Sequence, residues 1–264
     1  MTSEWPSNTL GMETFMRTLA RITFLTLGVV SLAAGAARAQ TADEIIEKHI
    51  AAVGGRPALG KLVSRQSTGT VTLSVQGQEL NGPYESYSKA PGKTRVVLKL
   101  DLVPMGGPGE MVIDQRFDGV NGLAMNSMQG DNAISGNQLD NMRNGAFPST
   151  MLVYKERGVK VQVLPREQVA GKEMIVLQFT PKAGSVSRVY FDPATYLVAR
   201  TAAKVTSAEM GDFEQTIDFS DYRAVDGVKV AFQTVNTTPA QTVTVKLAKV
   251  VHNVTLDDAM FTKK

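Results

Sequence analysis

The sequence predicts a mainly-β fold, an antiparallel meander curled into a barrel or half-barrel. Three observations carry this. From Ser64 onward apolar and polar residues alternate with period two, as in Val96, Leu98, Leu100 and Leu102 against Arg95, Lys99 and Asp101. Turn pairs punctuate these runs at Gln76-Gly77, Pro91-Gly92, Asp118-Gly119, Ala183-Gly184 and Asp226-Gly227. The best-marked hairpin is Ser187 to Lys204, SRVYFDPATYLVARTAAK, in which Asp192-Pro193 presets the turn.

Taken in order, the chain does not begin with fold. Arg17 and Arg21 precede an apolar run from Ile22 to Gly35, followed by Ala37-Arg38-Ala39. A positive start, a short apolar stretch and an A-x-A site predict a secretory signal peptide cleaved after Ala39, hence a periplasmic, exported product. The run is too short for a comfortable transmembrane helix. Met16 is an alternative start that would give a signal peptide of ordinary length. Residues 1–39 are thus a start extension plus signal peptide, and residues 40–264 are expected to form one β domain.

That domain opens with a helix. Thr41 and Glu44 read as a capping box, Ile45, Ile46, His49, Ile50 and Val53 fall on one face, and Gly54-Gly55 stops the helix. A short helical turn from Pro57 to Leu62 follows. Strands are then predicted near 66–75, 79–89, 93–103, 110–117, 122–128, 158–165, 172–180, 185–191, 196–206, 211–222, 228–236 and 241–252. Residues 129–157 interrupt them. This stretch is polar and Asn-rich, with Leu139, Met142, Arg143 and Phe147 at helical spacing, and Pro148 should end whatever helix forms. It reads equally as a mobile flap or as a solvated connection.

Chemistry is sparse. The chain has no cysteine, which removes disulfides, thiolate metal sites and cysteine nucleophiles. Its net charge of +3 comes from scattered residues and makes no case for nucleic acid. Gly55 to Lys61, GRPALGK, imitates a phosphate-binding loop, but Leu62 replaces the required Ser or Thr and a helix precedes it in place of a strand. Asp131 to Gly136 starts like a calcium loop, but Ala133 sits where an oxygen ligand is needed. His49 and His252 lie among apolar residues and read as structural. An enzyme would need an inward carboxylate pair, and only Glu85, Asp114 and Glu214 have an open facing. No cofactor, metal site or catalytic residue is expected.

Composition favours an apolar interior. Six methionines, Met105, Met111, Met125, Met128, Met142 and Met151, lie in one third of the chain. Unbranched, polarizable side chains suit surfaces that accept ligands of variable shape.

A family resemblance runs over nearly the whole of residues 40–264. It is carried by EIIEKHIAAVGGRPALGKL, the strand Thr68 to Val75, the stretch Lys89 to Arg95 and Phe117-Asp118-Gly119. It continues through FDPATYLVAR, YRAVDGV from Tyr222 to Val228, and NVTLDDAMF from Asn253 to Phe261. In that order these stretches resemble the LolA-like periplasmic lipoprotein carrier superfamily, the outer membrane lipoprotein-sorting group. The resemblance implies an unclosed half-barrel of about eleven strands with its concave face covered by helices. It implies a carrier of lipoprotein acyl chains or other lipid, with an inner-membrane transporter and an outer-membrane receptor as partners, working as a monomer. No family residue transfers by motif.

On this reading the lipid-binding cavity is made by Leu98, Leu100, Met111, Ile113, Phe117, Phe213, Ile217 and Phe219, with Ile46, Ile50, Leu139 and Met142 as its lid. Which sheet face is concave stays open, because a one-residue register slip exchanges the two faces. The alternative is a non-transport envelope interaction or stress-sensing module on the same fold.

Overall fold

The computed structural model describes residues 40–107, 109–207 and 211–263. The predicted signal peptide and its cleavage point lie outside the described residues. Thirteen strands make one antiparallel sheet: β1 (Ser64–Val75), β2 (Gln78–Lys89), β3 (Lys93–Asp101), β4 (Glu110–Phe117), β5 (Gly122–Asn126), β6 (Gly130–Ile134), β7 (Lys160–Val169), β8 (Lys172–Thr180), β9 (Ser187–Phe191), β10 (Val198–Ser207), β11 (Gly211–Val225), β12 (Val228–Thr237) and β13 (Gln241–His252). Helices are α1 (Ala42–Ala52), α2 (Gly55–Leu59) and α3 (Gly136–Asn144). Short 3-10 turns lie at Thr150–Leu152 and Asp258–Phe261.

The strand order is β6-β5-β4-β3-β2-β1-β13-β12-β11-β10-β9-β8-β7. Every strand pairs with its sequence neighbour except at two places. β1 and β13 join in the middle, Val71 opposite Val245, while β6 and β7 are consecutive in sequence yet sit at opposite edges. The sheet is therefore unclosed, and the segment from β6 to β7 must travel from one edge to the other. The twelve spans read as strands become thirteen among the described residues, against the expected count of about eleven. β6, GDNAI, falls within the stretch read as polar connection, because its turn-forming Asp and Asn hide a five-residue edge strand.

Residues paired across antiparallel strands share a face, and alternation does the rest. One face, the inner one, lies under α1, α2 and the crossover. It carries Ile175, Leu177 and Phe179 of β8, which pair with Phe191, Val189 and Ser187 of β9. On these side chains pack Ile45, Ile46 and Ile50 of α1, with Phe147 and Tyr154 of the crossover. Ile46 is fully buried.

The capping box forms as expected. Thr41 Oγ1 accepts from the Glu44 amide at 3.2 Å, and Glu44 Oε2 accepts from the Thr41 amide at 2.9 Å. Asp43 then ties α1 to the crossover, accepting from the Tyr154 hydroxyl and pairing with Lys155. At the other end the Lys229 amide donates to the Val53 carbonyl at 2.9 Å, which pins α1 to the start of β12.

Gly54 makes that docking possible. Its φ is +130°, and a Cβ there would lie 2.5 Å from the Gly227 carbonyl oxygen. Gly54→Ala should cost about 1–3 kcal/mol, read as a lower urea midpoint. Gly77→Ala, with a φ of +78° and open space around it, should cost less. Equal costs would show that backbone strain acts alone and that no clash with the β12 turn exists.

The outer face has its own buried patch: Val169, Met174, Val176, Tyr190 and Ala202. Polar ladders flank it, with Arg188 paired to Glu167 at 3.1 Å and to Glu214 at 2.6 Å. At the other half of the sheet Asp114 sits between Arg95 at 2.7 Å and Arg116 at 2.8 Å. The C-terminal turn Asp258–Phe261 covers this region. Asp258 bridges Lys89 and Lys93, and Phe261 is buried.

Candidate functional site: a divided apolar interior

The crossover runs over the inner face. α3 leaves the β6 edge and reaches the β8–β9 loop, where Asn144 Nδ2 donates to the Ala183 carbonyl at 2.8 Å and Asn141 Oδ1 accepts from the Ser185 amide at 2.8 Å. Arg143, in the same last turn, donates to the Val120 carbonyl at 3.1 Å. Arg157 Nη1 braces the chain behind it on the carbonyls of Arg143 and Gly145, at 2.7 and 2.8 Å.

Three hollows remain beneath these elements. The first, about 440 Å³, lies between α1–α2 and the middle of the sheet, among Val53, Leu62, Val230, Phe232, Val245 and Leu247. Arg65, Ser67, Tyr84 and Ser86 close one end of it. The second, about 370 Å³, is walled by Phe179, Val189, Ala203 and Met151. The third, about 300 Å³, lies under α3 among Thr94, Met142, Phe147 and Arg65. Thr150 borders all three, and Met151 separates the first two. The four residues Pro148 to Met151 are thus the partition of one interior. The volumes fall at the lower part of the ~300–1,000 Å³ typical of small-molecule sites.

The residues expected to line the cavity divide. All eight lie on the inner face by register. Leu98, Leu100, Met111 and Ile113 pack with Val71, Leu80 and Leu102, Leu100 buried and Leu98, Met111 and Ile113 half-buried, and line none of the three hollows. Phe117 is buried opposite Gly122, whose open face meets Ile134 and Met142. Phe213, Ile217 and Phe219 follow one another along β11, and only Phe219 reaches a hollow, the first. Of the expected lid residues, Ile46 and Ile50 are core, packed on β8 and β9. Met142 lines the third hollow, while Leu139 lines none of them.

Sequence reasoning missed the actual walls. Val228, Val230 and Phe232, like Val245 and Leu247, alternate visibly, but nothing in the pattern says that α2 leaves a space above them. Arg65 gave no signal at all. Of the methionines, Met142 and Met151 line hollows, Met111 is packed and Met128 is exposed.

Polar chemistry in the interior is thin. Glu85, Asp114 and Glu214 all point to the outer face, where Glu85 accepts from the Tyr87 hydroxyl and the other two face arginines. Among the described residues no acidic side chain lines any of the three hollows, and no group of metal-ligating residues forms. His49 is buried, stacks edge-on against Phe191 at 5.4 Å and donates from Nδ1 to the Tyr196 carbonyl at 2.8 Å. Burial pushes its pKa below the ordinary value, against the pull of that hydrogen bond.

The folded state therefore resists a proton that the unfolded chain takes up below about pH 6.5. Stability is complete above that pH and falls as pH drops through it, by up to about 1.4 kcal/mol per unit. Urea midpoints between pH 7.5 and 5.5 should show this slope, and His49→Gln should flatten it. A slope that survives the substitution would place the titrating group elsewhere.

No family model matches the chain, and no curated protein matches its sequence. Solved structures do. A DUF1329 family protein from Desulfovibrio piger superposes with a TM-score of 0.54 at 15% identity, over 83% of this chain and 95% of its own. A LolA superfamily protein from Nitrosomonas europaea superposes with a TM-score of 0.53 at 14% identity, over 85% of this chain and 99% of its own. The fold is LolA-like. A Vibrio parahaemolyticus domain named for outer-membrane lipoprotein sorting agrees, with a TM-score of 0.54 at 13% identity over 83% and 95% of the two chains. At such identities the likeness concerns architecture alone. The LolA-like sheet explains why the interior exists: thirteen strands left unclosed need a covering, and the crossover supplies it.

Proposed function

We propose that this protein is an exported, periplasmic carrier that shelters acyl chains of lipids or lipoproteins between the inner face and its helical cover. The observation that carries the reading is the hollow interior itself, walled by valine, leucine and phenylalanine and lacking acidic groups. Burying about fifteen methylenes stabilises a complex by on the order of 12 kcal/mol before ordering costs. An aqueous shuttle needs such an enclosure, and the Pro148–Met151 partition is the element that must yield to admit a long chain. The LolA-like architecture supports a role of the outer-membrane lipoprotein-sorting type, with a membrane transporter as donor and an outer-membrane receptor as acceptor. The protein works as a monomer in this reading.

The test is lipid extraction and native mass spectrometry of protein purified from the periplasm. Bound acyl lipid is the expected result. Protein that is reproducibly empty, and that takes up no hexadecanoate or acylated peptide, would overturn the proposal.

A further inference from the structure

Polar side chains enter the interior in several places, Asn141, Asn144 and Ser187 among them, but a guanidinium stands at the seam where the first and third hollows meet. Arg65 borders both. Its guanidinium lies over the Phe147 ring, 5.5 Å from the centroid, and it forms no hydrogen bond or ion pair with any described residue. Register places Arg65 opposite Ser88, Ser67 opposite Ser86, and Gly69 opposite Tyr84, all on the inner face. Ser67 is 3% exposed, and its hydroxyl, like those of Ser86, Ser88 and Tyr84, forms no hydrogen bond with a described residue, although none of the four is fully enclosed. The other cation at the first hollow, Lys229, is exposed at the start of β12.

A guanidinium offers five N–H donors in a planar fork and cannot shed its charge. Enclosing it without an acceptor is costly, and here four hydroxyls stand beside it without bonds of their own. Carboxylate and phosphate are the groups that match such a fork bidentately. The adjoining hollow accepts the alkyl tail.

We propose that Arg65, with the hydroxyls of Ser67, Ser86 and Ser88, receives the anionic headgroup (carboxylate or phosphate) of an amphiphile whose chain occupies the first hollow. This rests on the carrier reading and narrows it. The preferred cargo carries a charge next to the chain, whereas acyl groups in ester or amide linkage to a peptide are neutral at their attachment.

The experiment compares four probes on the intact exported protein by isothermal titration: hexadecanoate, hexadecyl phosphate, hexadecanol and inorganic phosphate. At least one charged amphiphile should bind tenfold or more tighter than hexadecanol. Arg65→Met should bring it down to the hexadecanol level without changing hexadecanol, and Arg65→Lys should recover part of the difference. The wild-type comparison decides the matter even if a variant fails to fold. Equal binding of charged and neutral amphiphiles overturns the headgroup site while leaving the carrier intact. Binding of inorganic phosphate as tightly as hexadecyl phosphate identifies a free-anion site and also overturns it. If no amphiphile binds, the carrier reading itself falls.

Discussion

If the protein carries acyl chains as proposed, replacing Thr201 with tryptophan should abolish their retention while leaving the sheet folded. Thr201 stands on the inner face of β10, opposite Ile217 on one side and Val189 on the other. It walls both of the larger hollows, beside the Met151 partition. An indole there projects into existing space, so the strand pairing is undisturbed and the hollow is filled. Excluding about three methylenes of ligand costs about 2.4 kcal/mol, a roughly fiftyfold rise in Kd. Displacement of a fluorescent fatty acid measures this directly. Ala202→Leu is the control. Ala202 is its neighbour on the outer face, buried with Tyr190 and Val176, so overpacking should lower Tm and leave retention unchanged. A Thr201→Trp protein that binds like wild type would mean that the ligand lies elsewhere.

The largest loss of stability should come from Asp114→Ala. The carboxylate is 9% exposed and accepts from both Arg95 and Arg116. Removing it leaves two arginines facing one another under the C-terminal turn, where Arg116 also donates to the Thr262 carbonyl at 2.7 Å. Breaking a buried ionic cluster in this way costs about 3 kcal/mol, a fall in Tm of roughly 6–12 °C for a chain of this size. The pH dependence gives a second signature. Burial alone would raise the Asp114 pKa, but the hydrogen bonds from Arg95 and Arg116 outweigh it and hold the carboxyl below its ordinary value. The stabilisation is therefore complete above the unfolded value of about 3.9 and is lost as pH falls through the folded one. Wild type and variant should begin to converge as pH falls below about 4. Thermal melts at pH 7 and pH 3 read both effects, and a constant gap between them would show that Asp114 acts through packing alone.

Much of the sheet was legible from residues. Alternation in β3, β4 and β13, with turn pairs between strands, is a local signal, and local signals survive folding. What a strand faces is not local. Leu98, Leu100, Met111 and Ile113 alternate as cleanly as Val228, Val230 and Phe232, yet the first set lines none of the three hollows and the second borders the first of them. The difference lies in what covers each set, and α1 settles on β8 and β9, more than a hundred residues away in sequence. The same argument explains Ile46 and Ile50. Their spacing showed a buried face, and the structure packs that face on Ile175 and Leu177. Arg65 escaped because a single arginine before a strand reads as a solvated end, and only β2 and Phe147 enclose it.

The pairing of β1 with β13 also bears on the order of assembly. Every other seam joins strands close in sequence, so hairpins on both flanks can form as the chain emerges from its N-terminus. The central seam brings Arg65 to His252 and Val75 to Gln241, a closure across nearly the whole domain. Loop-closure entropy makes such contacts slow to form. The two wings, β1–β6 and β7–β13, therefore wait for the last strand before they join into one sheet. A polypeptide delivered vectorially cannot finish its interior until β13 has arrived.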